Sequence, residues 1–144
     1  MVENWRFFQR QAKRAETAAV VKADAYGLGA VGVSRALAKA GAQTFFTMTC
    51  AEGLAVRSAL GAGPRIFVLN GPTGDDAEAM AAARLAPVLN SARQIQLWNA
   101  RGPAALHIDT GMNRLGVAVE ELASATQALR GAPLLLVMSH LACA

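Results

Sequence analysis

The sequence predicts an α/β domain made of repeated βα units, and three observations predict it. Short apolar runs alternate with longer Ala-rich segments of helical period along the whole chain. No pair of runs is joined by a tight two-residue turn, so the strands are expected to be parallel. Glycines at 41, 61, 63 and 131 fall just past the ends of helical segments, where a left-handed residue closes a helix.

The first strand is read at Ala18 to Ala23, whose Thr17 to Val21 portion is the β-branched kind of run expected to be buried on both faces. Further strands are read at Thr44 to Thr49, Ile66 to Leu69, Pro87 to Leu89, Ala104 to Asp109 and Leu134 to Ser139. Helices fill the intervals at Ala30 to Ala40, Ala51 to Leu60, Asp75 to Ala83, Ser91 to Ala100 and Val119 to Leu129. Asp75 with Glu78 has the spacing of a capping box, and Ser91 is a simpler N-cap candidate.

Two architectures satisfy this order: an open doubly wound sheet and a (β/α)8 barrel. Gly27-Leu28-Gly29-Ala30-Val31-Gly32 spells a dinucleotide-type spacing after the first strand. The second strand, however, ends in Thr47, Met48 and Thr49 with no acidic residue for a ribose. These glycines suit a tight strand-to-helix turn or the approach of backbone to a phosphate. A complete barrel takes about 250 residues. Six strands and five helices fit this chain, whose last strand runs into Ser139 to Ala144 with no helix after it. A barrel cut at about six strands is therefore the expectation.

Composition excludes several classes. With 53% hydrophobic and 17% charged residues, the chain can bury a core and is not of the disordered type. The bulkiest uninterrupted apolar stretch, Leu134 to Met138, is far short of the roughly 20 residues a membrane helix needs. No leader pattern is evident, so no membrane partner and a cytoplasmic location are expected. Cys50 and Cys143 give neither a disulfide framework nor a metal-ligand set, since His140 and Cys143 alone make a poor zinc site. Both thiols are read as small core or near-core residues.

The charge of +4 raises nucleic acid as a partner. Arg6, Arg10, Lys13 and Arg14 are spaced along one side of a helix, but no reading motif accompanies them. They are read as a solvated face, and a small anionic molecule suits the balance equally well.

Lys22, the Asp109 to Arg114 segment and His140 each sit at the carboxyl end of a different strand, and a parallel barrel gathers such ends on one face. A lysine where a buried strand enters its loop favours a neutral amine, a nucleophile that forms Schiff bases. The alternative is a lysine whose stem covers apolar neighbours while its head reaches water. Arg114 suits a phenolate or carboxylate, or else a surface ion pair, and Gly111 and Gly116 let backbone amides face an anion. His140 offers a flat ring for stacking or a satisfied core imidazole. Tyr26 pins an anion or buries its ring, and Asp109 suits a turn role.

The octapeptide Val20-Val21-Lys22-Ala23-Asp24-Ala25-Tyr26-Gly27 resembles the pyridoxal-phosphate attachment motif of the bacterial alanine racemase family. The segment His107 to Gly116 is similar to that family's arginine-bearing segment, and Met138-Ser139-His140-Leu141-Ala142 to its later histidine strand. The resemblance implies a (β/α)8 TIM-type barrel followed by a C-terminal β domain, pyridoxal 5'-phosphate as cofactor, and a homodimer. It implies interconversion of L- and D-alanine, supplying D-alanine for peptidoglycan. Lys22 becomes the lysine that holds the cofactor covalently and one of two proton-transfer bases. Tyr26 holds the phosphate, Arg114 the phenolic oxygen and, with the Met112 amide nearby, the substrate carboxylate; His140 packs on the ring.

Two departures bear on this. His107 stands where many members carry a lysine that becomes carbamylated and buttresses the arginine. Residues 1–144 would form a partial barrel domain with the β domain and its opposite-face tyrosine base absent, so this piece by itself is expected to be inactive and poorly stable. A single-barrel cofactor carrier without catalysis and a basic nucleic-acid-binding module are the alternative readings.

Overall fold

The computed structural model describes residues 1–129 and 131–143; Arg130 and Ala144 lie outside them. Its six strands are β1 (Ala19–Val20), β2 (Thr44–Thr47), β3 (Arg65–Val68), β4 (Ala86–Leu89), β5 (Ala104–His107) and β6 (Leu134–Met138). All are parallel and pair in chain order. A doubly wound sheet reverses its order part-way, whereas this one never does. The sheet is therefore the singly wound kind found in a (β/α)8 barrel, unclosed, with β1 and β6 at its edges.

The helices are α1 (Val2–Gln11), α2 (Lys22–Gly27), α3 (Ala30–Ala40), α4 (Cys50–Leu60), α5 (Asp76–Ala82), α6 (Ala92–Trp98) and α7 (Leu122–Ala128), the last entered through a 3₁₀ turn at Val119–Glu121. Strand alternation sorts the core into two layers. Val21, Phe45, Ile66, Val68, Leu89 and Leu106 join a cluster that extends to helical Leu37, Val56, Met80 and Trp98. Their neighbours one residue away, Phe67, Val88 and Ala105, form a separate cluster with Phe46, Leu69 and Met138 on the concave face. Phe46 and Phe67 stack there at 5.1 Å.

Several boundaries differ from expectation for identifiable reasons. β1 stops at Val20 because Ala23, Asp24, Ala25 and Tyr26 all take left-handed backbone values, which no strand accommodates. Val20 is 48% exposed rather than buried, since β1 is an edge strand and Val20 looks onto the concave side. β2 ends at Thr47 because Thr49 turns to cap α4, its hydroxyl accepting from the Glu52 amide at 3.3 Å. β5 ends two residues early, at His107, since Asp109 turns its carboxylate onto the amides of the following loop.

The basic N-terminal face is smaller than expected. α1 closes at Gln11 and Lys13 has φ 52°, so Lys13 and Arg14 leave the helix. Ser91 caps α6 as its sequence suggests, accepting from the Gln94 amide. Asp75 does not form the capping box: its side chain makes no cap bond, and Thr73 instead bonds Asp76 through both its carbonyl and its hydroxyl. Cys50 is buried as expected and burial pushes its thiol up. Cys143 is exposed, in the loop beyond edge strand β6.

Candidate active site

The carboxyl ends of the strands open onto a cavity of about 590 Å³. Its apolar floor comprises Val20, Phe46, Leu69, Leu115 and Met138. Its polar wall comprises Lys22, Tyr26, Asn70, His107, Arg114 and His140. The four side chains expected to act, Lys22, Tyr26, Arg114 and His140, are thus brought to one space by strand ends far apart in sequence. The alternatives of a surface ion pair for Arg114 and a core imidazole for His140 are not realised among the described residues: Arg114 has no acidic partner, and His140 is exposed toward the cavity.

The loop after β1 is a left-handed turn of four successive non-glycine residues, Ala23 to Tyr26, with φ between 51° and 57°. Each such residue costs about 1–2 kcal/mol, because Cβ crowds the following carbonyl. The turn is held from outside. Glu52, on α4, accepts the Ala23 amide at 3.0 Å through one oxygen and the Met48 amide at 2.7 Å through the other. Asp24 accepts the Ala30 amide at 2.7 Å, fastening the far end to the first residue of α3. Buried Ala25 anchors the middle. This clamp sets the position of half-buried Lys22, which starts the turn, and of Tyr26, which closes it and is 67% exposed.

The loop after β5 is organised by Asp109. Its Oδ1 accepts the amides of Gly111 at 2.9 Å and Asn113 at 3.1 Å, and with the Met112 amide these hold its carboxyl below the usual carboxylate range. Gly116 brings the loop back against the strand. At φ 115° a Cβ there would stand 2.6 Å from the Asp109 nitrogen. Arg114 and Leu115, between these two fixed points, face the cavity. Met112 does not line it: its amide is turned to Asp109.

Two positioning residues were not legible as such. Glu52 stands three residues after Thr49, a capping-box spacing that signals a helix start but not the reach to Ala23. Asn90 is the polar residue ending the apolar β4 run, and its amide lies 2.8 Å from His107 Nδ1. At the opposite, amino end of the strands a cavity of about 400 Å³ is lined by Arg57, Arg84 and Arg101. Arg57 there spends its donors on the carbonyls of Gly61, Pro64, Ala83 and Arg84, which makes it a tie between loops.

The domain model for "Alanine racemase, N-terminal domain" matches residues 1–144. The chain belongs to this family. It is 48% identical over 145 residues to an alanine racemase of Dinoroseobacter shibae, covering 98% of this chain and 42% of that protein. It is 46% identical over 153 residues to a catabolic alanine racemase of Mesorhizobium japonicum, covering 99% of this chain and 40% of the relative. The crystal structure of alanine racemase from Bartonella henselae with covalently bound pyridoxal phosphate superposes with a TM-score of 0.91 at 34% identity. That match takes in 98% of this chain and 44% of the solved one. The chain thus spans about two fifths of the length of the curated relatives it matches.

Proposed function

We propose that this chain carries the pyridoxal-phosphate site of an alanine racemase, which interconverts L- and D-alanine. The observation that carries the reading is the convergence of a lysine, a tyrosine, an arginine and a histidine from separate strand ends on one cavity. The residues fit the group. A primary amine stands at the rim, an apolar floor suits an aromatic ring, and cationic or hydroxyl donors are available for a phosphate and a phenolic oxygen.

When bound, the cofactor withdraws electrons from the substrate and acidifies its α-hydrogen. Lys22 would hold the cofactor covalently through Nζ and move the α-proton on one face of the substrate. Tyr26 would offer its hydroxyl to the phosphate. Arg114 would serve the phenolic oxygen and the substrate carboxylate, with the Met112 turn beside it. His140 would offer its ring to the pyridine. We assign the opposite-face base to a tyrosine of a C-terminal β domain, reaching across a homodimer in a polypeptide of the relatives' length. Such an enzyme would work in the cytoplasm and supply D-alanine for peptidoglycan. Among the described residues no helix is long and apolar enough to cross a membrane.

Incubation with pyridoxal phosphate, borohydride reduction and peptide mapping tests the reading. A pyridoxyl group on Lys22, absent in Lys22→Ala, is the expected result. An unmodified Lys22 overturns it. A polypeptide of full family length containing this segment should also form D-alanine from L-alanine and lose that activity in Lys22→Ala.

A further inference from the structure

The cavity at the amino ends of the strands carries charge of one sign. Its space of about 400 Å³ is bounded by the chain entering β3, β4 and β5 and by Leu135 of β6. Ile66, Leu85, Trp98 and Pro103 give it apolar walls, while Arg57, Arg65, Arg84 and Arg101 supply its charge. None of the residues lining it is acidic. Arg65 is answered by Glu16, which lies outside the cavity, so three guanidinium groups keep no acidic partner among the described residues.

Two of these three have structural duties. Helices α4, α5 and α6 all end here, and the carboxyl end of a helix leaves carbonyls without partners. Arg57 donates to the carbonyls of Gly61, Pro64, Ala83 and Arg84. Arg101 donates to those of Leu97 at 2.6 Å and Trp98 at 3.0 Å. The negative ends of the helices are thereby already covered. Arg84 has no such duty: its side chain makes neither a hydrogen bond nor an ion pair among the described residues. Burial, and then the charge of Arg84, push Arg57 below the ordinary arginine range.

Arg84 also stands where an arginine is costly. It closes α5 at φ 53°, with the Leu85 amide returning to the Met80 carbonyl at 2.8 Å. Helices α3 and α4 close on glycines at positive φ, Gly41 and Gly61, where no Cβ crowds the next carbonyl. Left-handed crowding and like-charge repulsion are thus both tolerated at one residue whose side chain gains nothing from the protein. Strain kept at a charged position in a concave space is the pattern of a ligand site.

We propose that this cavity binds a small organic oxyanion, a phosphoryl or carboxylate group carried on an apolar body. Arg84 supplies all its donors and Arg101 those of Nε and Nη2. Arg57, occupied by carbonyls, adds charge, and the apolar walls take the body of the ligand. The site lies at the opposite end of the strands from Lys22 and does not depend on the reading of that end.

Calorimetric titration of phenyl phosphate, benzoate and phenol into a pyridoxal-phosphate-loaded polypeptide of full family length tests this. Saturable binding of phenyl phosphate or benzoate, with none of phenol, is the expected result, and the tighter of the two names the preferred oxyanion. Arg84→Gly is the deciding variant, because it removes the guanidinium while easing the backbone and should unfold no more readily than the parent. It should weaken the anion about tenfold or more. Arg84→Lys should retain part of the affinity, since the charge stays and the fork goes. Absence of binding, equal affinity in Arg84→Gly and the parent, phenol binding as tightly as the anions, or displacement of the anion by L-alanine overturns the proposal. The titration reads binding and not catalysis, so an unmodified Lys22 in the borohydride experiment and a failed titration are separate outcomes.

Discussion

The loops after β1 and β5 solve one problem in opposite ways. Each must turn sharply at a strand's carboxyl end and present a cationic side chain to the cavity, Lys22 in one case and Arg114 in the other. The β5 loop is built locally. A glycine occupies the crowded position, and an aspartate at the strand end gathers the amides of the next few residues. The β1 loop places four residues with Cβ atoms in left-handed conformation and relies on Glu52, twenty-nine residues away on α4, to hold them. Local chemistry suffices for the arginine; the lysine is positioned only once β2 and α4 have packed beside it.

Substitutions at four positions sharpen this contrast. The largest effect is expected at Gly116→Ala. The new Cβ would meet the Asp109 backbone at 2.6 Å, where no side chain can yield. A loss of about 3 kcal/mol is expected from combined strain and overlap, read as a lower urea midpoint. A midpoint shift near zero would show that the β5 loop has slack and is not locally determined.

Glu52→Ala comes next. It frees the Ala23 and Met48 amides and should cost about 2 kcal/mol, discounted from two charge-assisted bonds because the site is partly wet. It should also reduce the yield of pyridoxyl-Lys22, since the turn that sets the amine is released. Glu52→Gln keeps one acceptor and should lose about half as much stability. Equal labelling of Lys22 in wild type and Glu52→Ala would break the idea that the lysine depends on α4.

A smaller effect, of opposite sign, is expected at Ala23. Ala23 is exposed at φ 51°, so Ala23→Gly relieves left-handed crowding while adding freedom to the unfolded chain. A net gain of about 0.5 kcal/mol is expected in thermal or urea unfolding. Asn113→Gly, at φ 54° in the β5 loop, should be close to neutral because asparagine tolerates that conformation. Similar responses at both positions would mean that strain does not distinguish the loops.

Much of the scaffold was legible because it repeats. Ala-rich helical segments and apolar strands appear at nearly their structural positions; the Ala30–Ala40 helix agrees to the residue, and Ser91 caps as its type and place suggest. The octapeptide around Lys22 and the glycine-arginine segment were legible as motifs, and strand ends were enough to bring Lys22, Tyr26, Arg114 and His140 together. Less legible were the points where a strand becomes a loop. β1 loses three expected residues to a left-handed turn that alanines and an aspartate do not favour by themselves. Lys13 and Arg14 likewise drop from the helix through a backbone choice that spacing does not encode.

By itself the sequence determined the βα rhythm, the two-sided patterning of the sheet and the side chains available to its carboxyl rim. Those properties follow from local period and residue type, which act along the chain. Tertiary structure decided that the strands wind in one direction, that Glu52 serves a lysine on another element, and that Asn90 at the end of β4 meets the ring of His107 at the end of β5. Each of these depends on polar atoms from separate segments meeting at about 3 Å, a coincidence that only the packed sheet and helices create.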